Sequence, residues 1–212
     1  MPTFSFEKSV FVNCPFDKEY TVLMNPLIFT ILYLGYTPRL ATERADCAEP
    51  RITKIIELIK SSKFGIHDLS RIKASRKGEL SRLNMPFELG LDYGCHAYYG
   101  KRGKTKKCLI LEKEQHRFKA ALSDISNSDI RAHNDDPGTM VSQVRNWLVQ
   151  EGNIELAASP NVIWYGFNDF SAKLYDTLTA QNFSKLDIDN LPFTELLLYM
   201  QKWIDSNIKP AN

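Results

Sequence analysis

The chain has 212 residues and a formal net charge of +2, which arises from 27 basic and 25 acidic side chains. Because these charges nearly cancel, the composition gives no strong field toward nucleic acid or acidic membranes, and nucleic acid is not an expected partner. Hydrophobic residues at 43% and charged residues at 25% are typical of globular proteins and exclude general disorder.

The first predicted strand covers residues 9–14 and is rich in valine and phenylalanine. Pro15 and Asp17 then favour the start of a helix that runs to about residue 34 and ends at Gly35. We expect Pro26 to kink or split this helix, because proline has no amide donor and crowds the preceding turn.

Strands and helices then alternate over the rest of the first half. We predict a strand at residues 36–41, a helix after Pro50, a strand at 64–69, a basic loop at 70–84, a helix at 85–99 and a strand at 108–111. This alternation is typical of parallel strands that are joined by right-handed crossovers.

The second half is less regular. Residues 123–138 are polar and rich in turn formers, 139–150 predict an amphipathic helix, 162–165 a fifth strand, and 170–179 and 191–204 two helices. We therefore predict a single α/β domain over residues 1–212, with a flavodoxin-like, doubly wound parallel sheet of about five strands flanked by helices. Residues 1–115 form its core, and residues 116–212 form a more helical C-terminal extension.

The location of the protein is predicted from two features. The longest apolar region, residues 27–36, has about half of the roughly 20 residues that a bilayer-spanning helix needs, and no export signal precedes the first strand. The four cysteines, Cys14, Cys47, Cys95 and Cys108, show neither C-x-x-C nor zinc spacing, so we expect reduced thiols and no metal. We expect a cytoplasmic protein that does not cross a membrane.

Ligands of open parallel sheets bind beyond the carboxyl ends of the strands, near the point where the strand order reverses. The residues that this rule selects as substrate-binding are Asn13, Cys14, Pro15, Phe16, Arg39, Ser70 and Met85. The same edge carries two candidate catalytic carboxylates, Asp68 and Glu88. The sequence thus predicts a small-molecule site for a nucleotide or nucleoside around Glu88.

Each carboxylate also has a structural interpretation. Glu88 could complement the dipole of the helix that it begins, and Asp68 could cap a turn instead of binding sugar hydroxyls. Gly90 and Gly94 weaken the same helix by up to about 1 kcal/mol each relative to alanine. We infer that a ligand or the adjacent sheet approaches the helix closely there.

For three weaker patterns, a structural interpretation is favoured over a functional one. His96 shares a helical stripe with Glu88 and Asp92, which is more often solvated or structurally paired than catalytic. The basic residues at 71–82 favour a solvated loop over a phosphate contact. The four aspartates around His133 favour turns over a cation site. The sequence contains neither the phosphate-loop G-K-S/T nor a G-x-G-x-x-G motif, which argues against kinases, NTPases and standard dinucleotide dehydrogenases.

Four segments resemble those of one known group. They are V-F-V-N-C-P-F-D at residues 10–17, R-L-A-T-E at 39–43, F-G-I-H-D-L-S-R at 64–71 and N-M-P-F-E-L-G at 84–90. Together they resemble bacterial nucleoside 2-deoxyribosyltransferase-like proteins, which are structurally akin to TIR domains. The resemblance covers about the first 115 residues. It implies that Glu88 is the nucleophile on the anomeric carbon and that Asp68 helps to position or protonate the substrate.

The resemblance also implies an activity. We expect an N-glycosidase or (deoxy)ribosyltransferase that acts on a nucleotide, with NAD as the preferred substrate, no cofactor and a role in bacterial defence against phage. Nicotinamide leaves from a cationic ring and needs no proton, so one glutamate can suffice for NAD. The alternatives are a non-catalytic nucleotide sensor or interaction module, and a structural protein without a ligand.

Two kinds of protein partner are also expected. The predicted C-terminal helix at residues 191–204 has more apolar residues than one buried face needs, which predicts a homo-oligomer. A partner protein from a defence system would accompany the phage-defence role that the resemblance implies.

Overall fold

The computed structural model describes residues 4–72, 83–120, 122–126 and 128–208. The strands are β1 (Ser9–Asn13), β2 (Thr37–Arg39), β3 (Phe64–Asp68), β4 (Lys107–Glu112) and β5 (Arg131–Ala132). The helices are α1 (Thr21–Tyr33), α2 (Arg51–Ser61), α3 (Asn84–Tyr98), α4 (Gly100–Gly103), α5 (Pro137–Glu151), α6 (Pro160–Ala180), α7 (Lys185–Asp189) and α8 (Phe193–Asn207).

The strands form one five-stranded sheet in the order β2-β1-β3-β4-β5, and every neighbouring pair is parallel. The chain moves from β1 to β2 on one side and then crosses back to β3 on the other, so the winding direction reverses between β1 and β3. This order confirms the predicted doubly wound, flavodoxin-like α/β fold. The reversal also defines where a ligand crevice belongs.

Helices cover both faces of the sheet because successive side chains of a buried strand point to opposite faces. Val10 and Val12 of β1 pack in the larger core with α1, α5, α6 and α8. Phe11, between them, packs with α2 on the opposite face. A separate cluster joins Met85 and Leu89 of α3 to Ile110 of β4.

The C-terminal helices belong to the larger core. The Phe29 ring of α1 lies 5.6 Å from Phe167, 5.7 Å from Phe170 and 5.5 Å from Trp203, measured between ring centroids. Met200 of α8 is buried in the same cluster. Most apolar residues of α8 thus pack against the core of the same chain, whereas Leu198 is 62% exposed, and the homo-oligomer stays a prediction.

Two local predictions were wrong. Residues 162–165 lie in the first turns of α6 and form no strand, because Ser159 accepts a hydrogen bond from the Val162 amide and Pro160 fits the first turn. The fifth strand is the two-residue β5, inside the segment that we expected to be turns. A capped helix start thus overrides the β-propensity of the V-I-W-Y run.

A further expectation was that Pro26 kinks or splits the first helix, and α1 continues through Pro26, so the helix is not split. A proline there removes a single hydrogen bond close to the helix start, and the surrounding side chains from Leu27 to Leu32 are buried. Packing of this buried face outweighs the lost bond.

Two further expectations were checked. All four cysteines are free thiols, as predicted. None of the helices in the described residues combines the length and apolar content that crossing a bilayer requires.

Candidate functional site

The candidate site lies at the carboxyl ends of β1 and β3, where the winding reverses. Asn13 ends β1 in register with His67, and Asp68 follows as the last residue of β3. The Asn13 side chain donates a hydrogen bond to the Met85 carbonyl oxygen over 2.9 Å, which ties the start of α3 to this edge. The rule for open parallel sheets therefore selected residues that the fold does bring together.

Cys14 directly follows Asn13 at the end of β1 and lies at the same edge of the sheet. Its thiol is buried, and burial together with the negative charges of Asp68, Glu88 and Asp17 raises its pKa well above the ordinary value. The thiol therefore stays protonated at neutral pH and is a poor nucleophile. Both predicted carboxylates therefore lie within electrostatic range of the Cys14 thiol.

Glu88 faces inward from the second turn of α3 and is only 4% exposed. Its carboxylate makes no hydrogen bond or ion pair with any residue that the structure describes. Burial raises the pKa of Glu88 to about 7, and the positive charge of Arg51 at the start of α2 opposes that shift. Glu88 is thus a buried carboxyl that changes its charge near neutral pH.

Asp68 has the opposite surroundings. Its Oδ2 accepts a hydrogen bond from the Tyr20 hydroxyl over 2.6 Å, and its Oδ1 accepts one from the Ser70 amide over 2.7 Å. The contact with Ser70 is the turn cap that we gave as the structural interpretation. Burial by itself raises the pKa of Asp68, but His133, Ser70 and Tyr20 outweigh burial and hold the pKa below its ordinary value.

His133 completes the surroundings of Asp68. Its Nε2 lies 3.0 Å from Asp68 Oδ2, although the ring N–H is not well aligned for a hydrogen bond. The Asp135 amide donates to Nδ1 over 3.1 Å, so the proton of a neutral ring sits on Nε2, beside Asp68. His133 and Tyr20 were not predicted as site residues, since neither has a local motif that distinguishes it from a turn or core residue.

A buried polar chain extends from Asn13 across β3 to α3. The Asn13 amide donates to His67 Nδ1 over 3.0 Å, and His67 Nε2 lies 3.0 Å from Asp92 Oδ2. Asp92 Oδ1 lies 3.2 Å from Lys106 Nζ. Burial raises the pKa of Asp92, but His67 and Lys106 outweigh it, so the net pKa is lowered. This chain fixes the Asn13 amide and leaves its Oδ1 buried without a hydrogen-bond partner among the described residues.

The other predicted binding residues occupy different environments. Arg39 pairs with Glu43 at 2.6 Å and stacks on the Phe4 ring, so its guanidinium is already engaged. Pro15 is buried, and Phe16, which is 38% exposed, reaches the surface beside the strand end. Ser70 contributes its backbone to the Asp68 turn. The binding roles of these residues stay predictions.

Two groups could suggest a metal ion. One atom each of His67, Asp92 and Cys108 lies within 4.8 Å of the others, but Lys106 already neutralises Asp92. In the acidic segment, Asp136 caps α5 by accepting the Thr139 amide over 2.7 Å. Asp135 pairs with Lys113 at 2.6 Å. Both arrangements are satisfied without a cation, and the turn interpretation of the acidic segment is supported for Asp136.

Most of the basic loop predicted before α3 lies outside the described residues. Of the weaker stripe on α3, Asp92 is structurally paired, whereas His96 is exposed.

Fold and site together define a class: a doubly wound α/β protein with two buried carboxyl groups near the β1/β3 reversal. Asp68 accepts hydrogen bonds, and Glu88 has no hydrogen-bond partner among the described residues. Comparison with known proteins takes the assignment no further, since no family model, no curated protein and no solved structure matches the chain. The resemblance to nucleoside 2-deoxyribosyltransferase-like and TIR-like proteins therefore stays a prediction from sequence motifs.

Proposed function

We propose that the chain cleaves the N-glycosidic bond of a nucleotide, with NAD as the preferred substrate and Glu88 as the nucleophile or charge stabiliser. The observation that carries the proposal is the Glu88 carboxyl, which is 4% exposed and lacks a partner among the described residues. A group of this kind costs stability, so its place at a ligand-binding edge favours a functional role.

The proposed reaction uses the Glu88 carboxylate, which has no hydrogen-bond donor among the described residues. As the bond between C1′ and the base nitrogen breaks, positive charge develops on C1′ and the ring oxygen, and the base leaves with the bonding electrons. An ionised Glu88 either stabilises this charge or bonds to C1′, after which water or another acceptor takes the ribosyl group. A bound pyridinium cation also lowers the pKa of Glu88 and so ionises it where it is needed.

The state of Asp68 favours NAD over a neutral nucleoside. A neutral purine leaves better when it is protonated, whereas nicotinamide departs from a ring that is already cationic. Because its pKa is lowered, Asp68 is ionised at neutral pH and has no proton to donate. The Asn13 Oδ1, buried at the same edge and without a partner among the described residues, is an acceptor of the kind that binds a ribose hydroxyl.

The test is incubation of pure protein with NAD and with a panel of nucleosides and nucleotides, followed by mass spectrometry. We expect wild type to release nicotinamide from NAD, and Glu88→Gln to reduce turnover by at least about 10³-fold with little change in affinity. The matched control is Glu155→Gln, which makes the same change at an exposed glutamate and should retain wild-type turnover.

The outcomes distinguish the hypotheses. Wild-type turnover by Glu88→Gln would exclude Glu88 as the nucleophile. If no substrate yields product but NAD raises the melting temperature, the alternative of a non-catalytic nucleotide sensor replaces the enzyme.

The proposal extends to the biology that the resemblance implies, a cytoplasmic enzyme of bacterial defence against phage that acts with a partner protein of a defence system. Plaque counts on cells that express wild type or Glu88→Gln measure this directly. Protection by wild type alone is expected, and equal plaque counts would contradict a defence role for the reaction.

A further inference from the structure

The outer face of α3, opposite Glu88, is apolar along its whole length. Leu83, Phe87, Tyr93 and Tyr98 are 68%, 57%, 41% and 89% exposed. Gly90 and Gly94 lie between them at helical spacing. In residues 83–98 the only carboxylates, Glu88 and Asp92, are buried on the inner side, and the exposed His96 belongs to their stripe, so this outer face has no Asp, Glu, Lys or Arg.

The two glycines also lie on this outer face and do not contact the sheet. A Cβ built at Gly90 or Gly94 meets no atom of the described chain within 4 Å. The sheet therefore does not explain them, which corrects one of the two expectations drawn from the sequence. Since alanine would strengthen the helix at both positions, the glycines indicate a close approach from outside the described part of the chain.

A groove accompanies the glycines. A cavity of about 270 Å³ between α2 and α3 has Ile56, Leu91, Gly94 and Tyr98 in its lining, and the Tyr98 side chain is 89% exposed. The tyrosine is thus a projecting aromatic side chain, and the groove is an apolar recess, on the same surface. Lys60 is the only charged residue that the structure describes in the lining of this groove, and its Nζ lies 5.5 Å from the centre of the Tyr99 ring.

We propose that the outer face of α3 is the interface of a homodimer, in which Tyr98 of each copy enters the α2–α3 groove of the other. A two-fold axis places each surface against itself, so such an interface must be self-complementary. Tyr98 projects beside the α2–α3 groove, so the surface has both halves of a self-complementary shape. The lack of carboxylates and of paired like charges along the exposed stripe satisfies the same requirement for charge, because like charges would meet across the axis.

The exposed area supports a second copy as the occupant. With roughly 200 Å² for each large side chain, the open fractions of Leu83, Phe87, Tyr93 and Tyr98 amount to roughly 500 Å² per copy. Two copies then bury roughly 1,000 Å², the size at which specific association begins. A crossing near Gly94 lets the two helices approach closely, since no side chain separates their backbones there.

The contrast with α2 sharpens this choice of surface. The exposed positions of α2 include Arg51, Glu57 and Lys60, which is the charged outer face that a solvated crossover helix normally has. Both helices cover the same side of the sheet, so the apolar outer face is specific to α3.

The experiment is sedimentation velocity of the full chain from 1 to 200 µM. We expect a reversible dimer for wild type and at least tenfold weaker association for Tyr98→Arg, which brings a charge into an apolar groove. Tyr165→Arg is the matched control, because Tyr165 is also an exposed helical tyrosine, at 69%, but lies on α6. It should dimerise like wild type.

Gly94→Ala tests the same idea without the risk of misfolding. Its Cβ meets open space in the single chain, so the monomer should melt at the same or a higher temperature while association weakens severalfold. A wild type that is monomeric at 200 µM overturns the proposal. A dimer that both Tyr98→Arg and Gly94→Ala leave unchanged overturns it as well, since the interface must then lie elsewhere.

Discussion

Two carboxyl groups lie buried at the same edge of one sheet, and their surroundings give them opposite properties. Asp68 accepts hydrogen bonds from Tyr20 and Ser70 and lies against His133. Glu88 is as inaccessible but has no donor among the described side chains. The pKa of Asp68 is lowered, whereas that of Glu88 is raised to about 7.

The difference teaches that burial does not by itself decide the charge of a carboxyl group. Burial disfavours the ionised form at both positions, and only the supply of donors reverses it at Asp68. A carboxylate with satisfied oxygens stabilises the fold, while one without donors keeps its basicity and can act on a ligand.

The largest expected effect is the loss of stability when Asp68 is replaced. Asp68→Asn should lower the free energy of unfolding by about 3 kcal/mol at pH 8, because the amide turns a donor toward groups that need an acceptor. The lowered pKa of Asp68 means that this contribution is present above its ordinary pKa and is lost as pH falls through the folded value. Urea denaturation at pH 8 measures the first part, and a series of measurements at pH values falling below 3.8 measures the second.

The control for this prediction is Asp187→Asn, which makes the same change at an exposed carboxylate of a helix capping box. Its effect on the free energy of unfolding should be much smaller than that of Asp68→Asn, because solvent screens an exposed carboxylate and can replace its hydrogen bonds. Equal losses for Asp187→Asn and Asp68→Asn would show that the buried network adds nothing.

The next largest effect is a gain in stability when Glu88 is replaced, which is opposite in sign to the effect at Asp68. A raised pKa means that Glu88 favours the fold below its ordinary value of 4.5 and disfavours it as pH rises through about 7. Relative to wild type, Glu88→Gln should gain roughly 2 to 3 kcal/mol between pH 5 and pH 8.5, at about 1.4 kcal/mol for each unit of the shift. Melting temperatures of both proteins across this range provide the measurement.

A gap between the two melting curves that stays constant with pH would mean that Glu88 titrates normally. It would then be a solvated or paired carboxylate, and the contrast with Asp68 would disappear.

The smallest effect sharpens the comparison through Arg51, the cation that opposes the shift at Glu88. Arg51 is exposed, so solvent and salt screen its charge. Arg51→Gln should therefore raise the pKa of Glu88 only slightly at 0.15 M salt. A carboxyl-detected NMR titration of wild type and variant measures the difference, and no upward shift would remove Arg51 from the site.

Much of the fold was predictable because its signals are local. Short apolar runs separated by helical periodicity indicated a doubly wound parallel sheet, and Pro50 correctly preceded a helix. The fifth strand was not predictable, because β5 has two residues and is defined only by its pairing with Leu111 and Glu112 of β4. The V-I-W-Y run misled for the converse reason, since a helix cap overrode its strand propensity.

The candidate site divides in the same way. Glu88, Asp68, Asn13 and Cys14 could be chosen because strand ends of a parallel sheet meet at one edge. Tyr20 and His133 could not, because they reach Asp68 from α1 and from the segment after β5, 48 and 65 residues away along the chain. Arg39 was chosen by the same edge rule, but its pairing with Glu43 depends on a side-chain orientation that the rule does not consider.

The sequence by itself determined the order of the first four strands and of the helices between them, and with it the edge where a ligand is expected to bind, because these follow from periodicity and from the handedness of crossovers. Only the tertiary structure decided which carboxyl group at that edge accepts hydrogen bonds and which one has a raised pKa near neutral pH. The reason is physical: a pKa depends on the donors and charges within a few ångströms, and distant segments of the chain supply them only after folding.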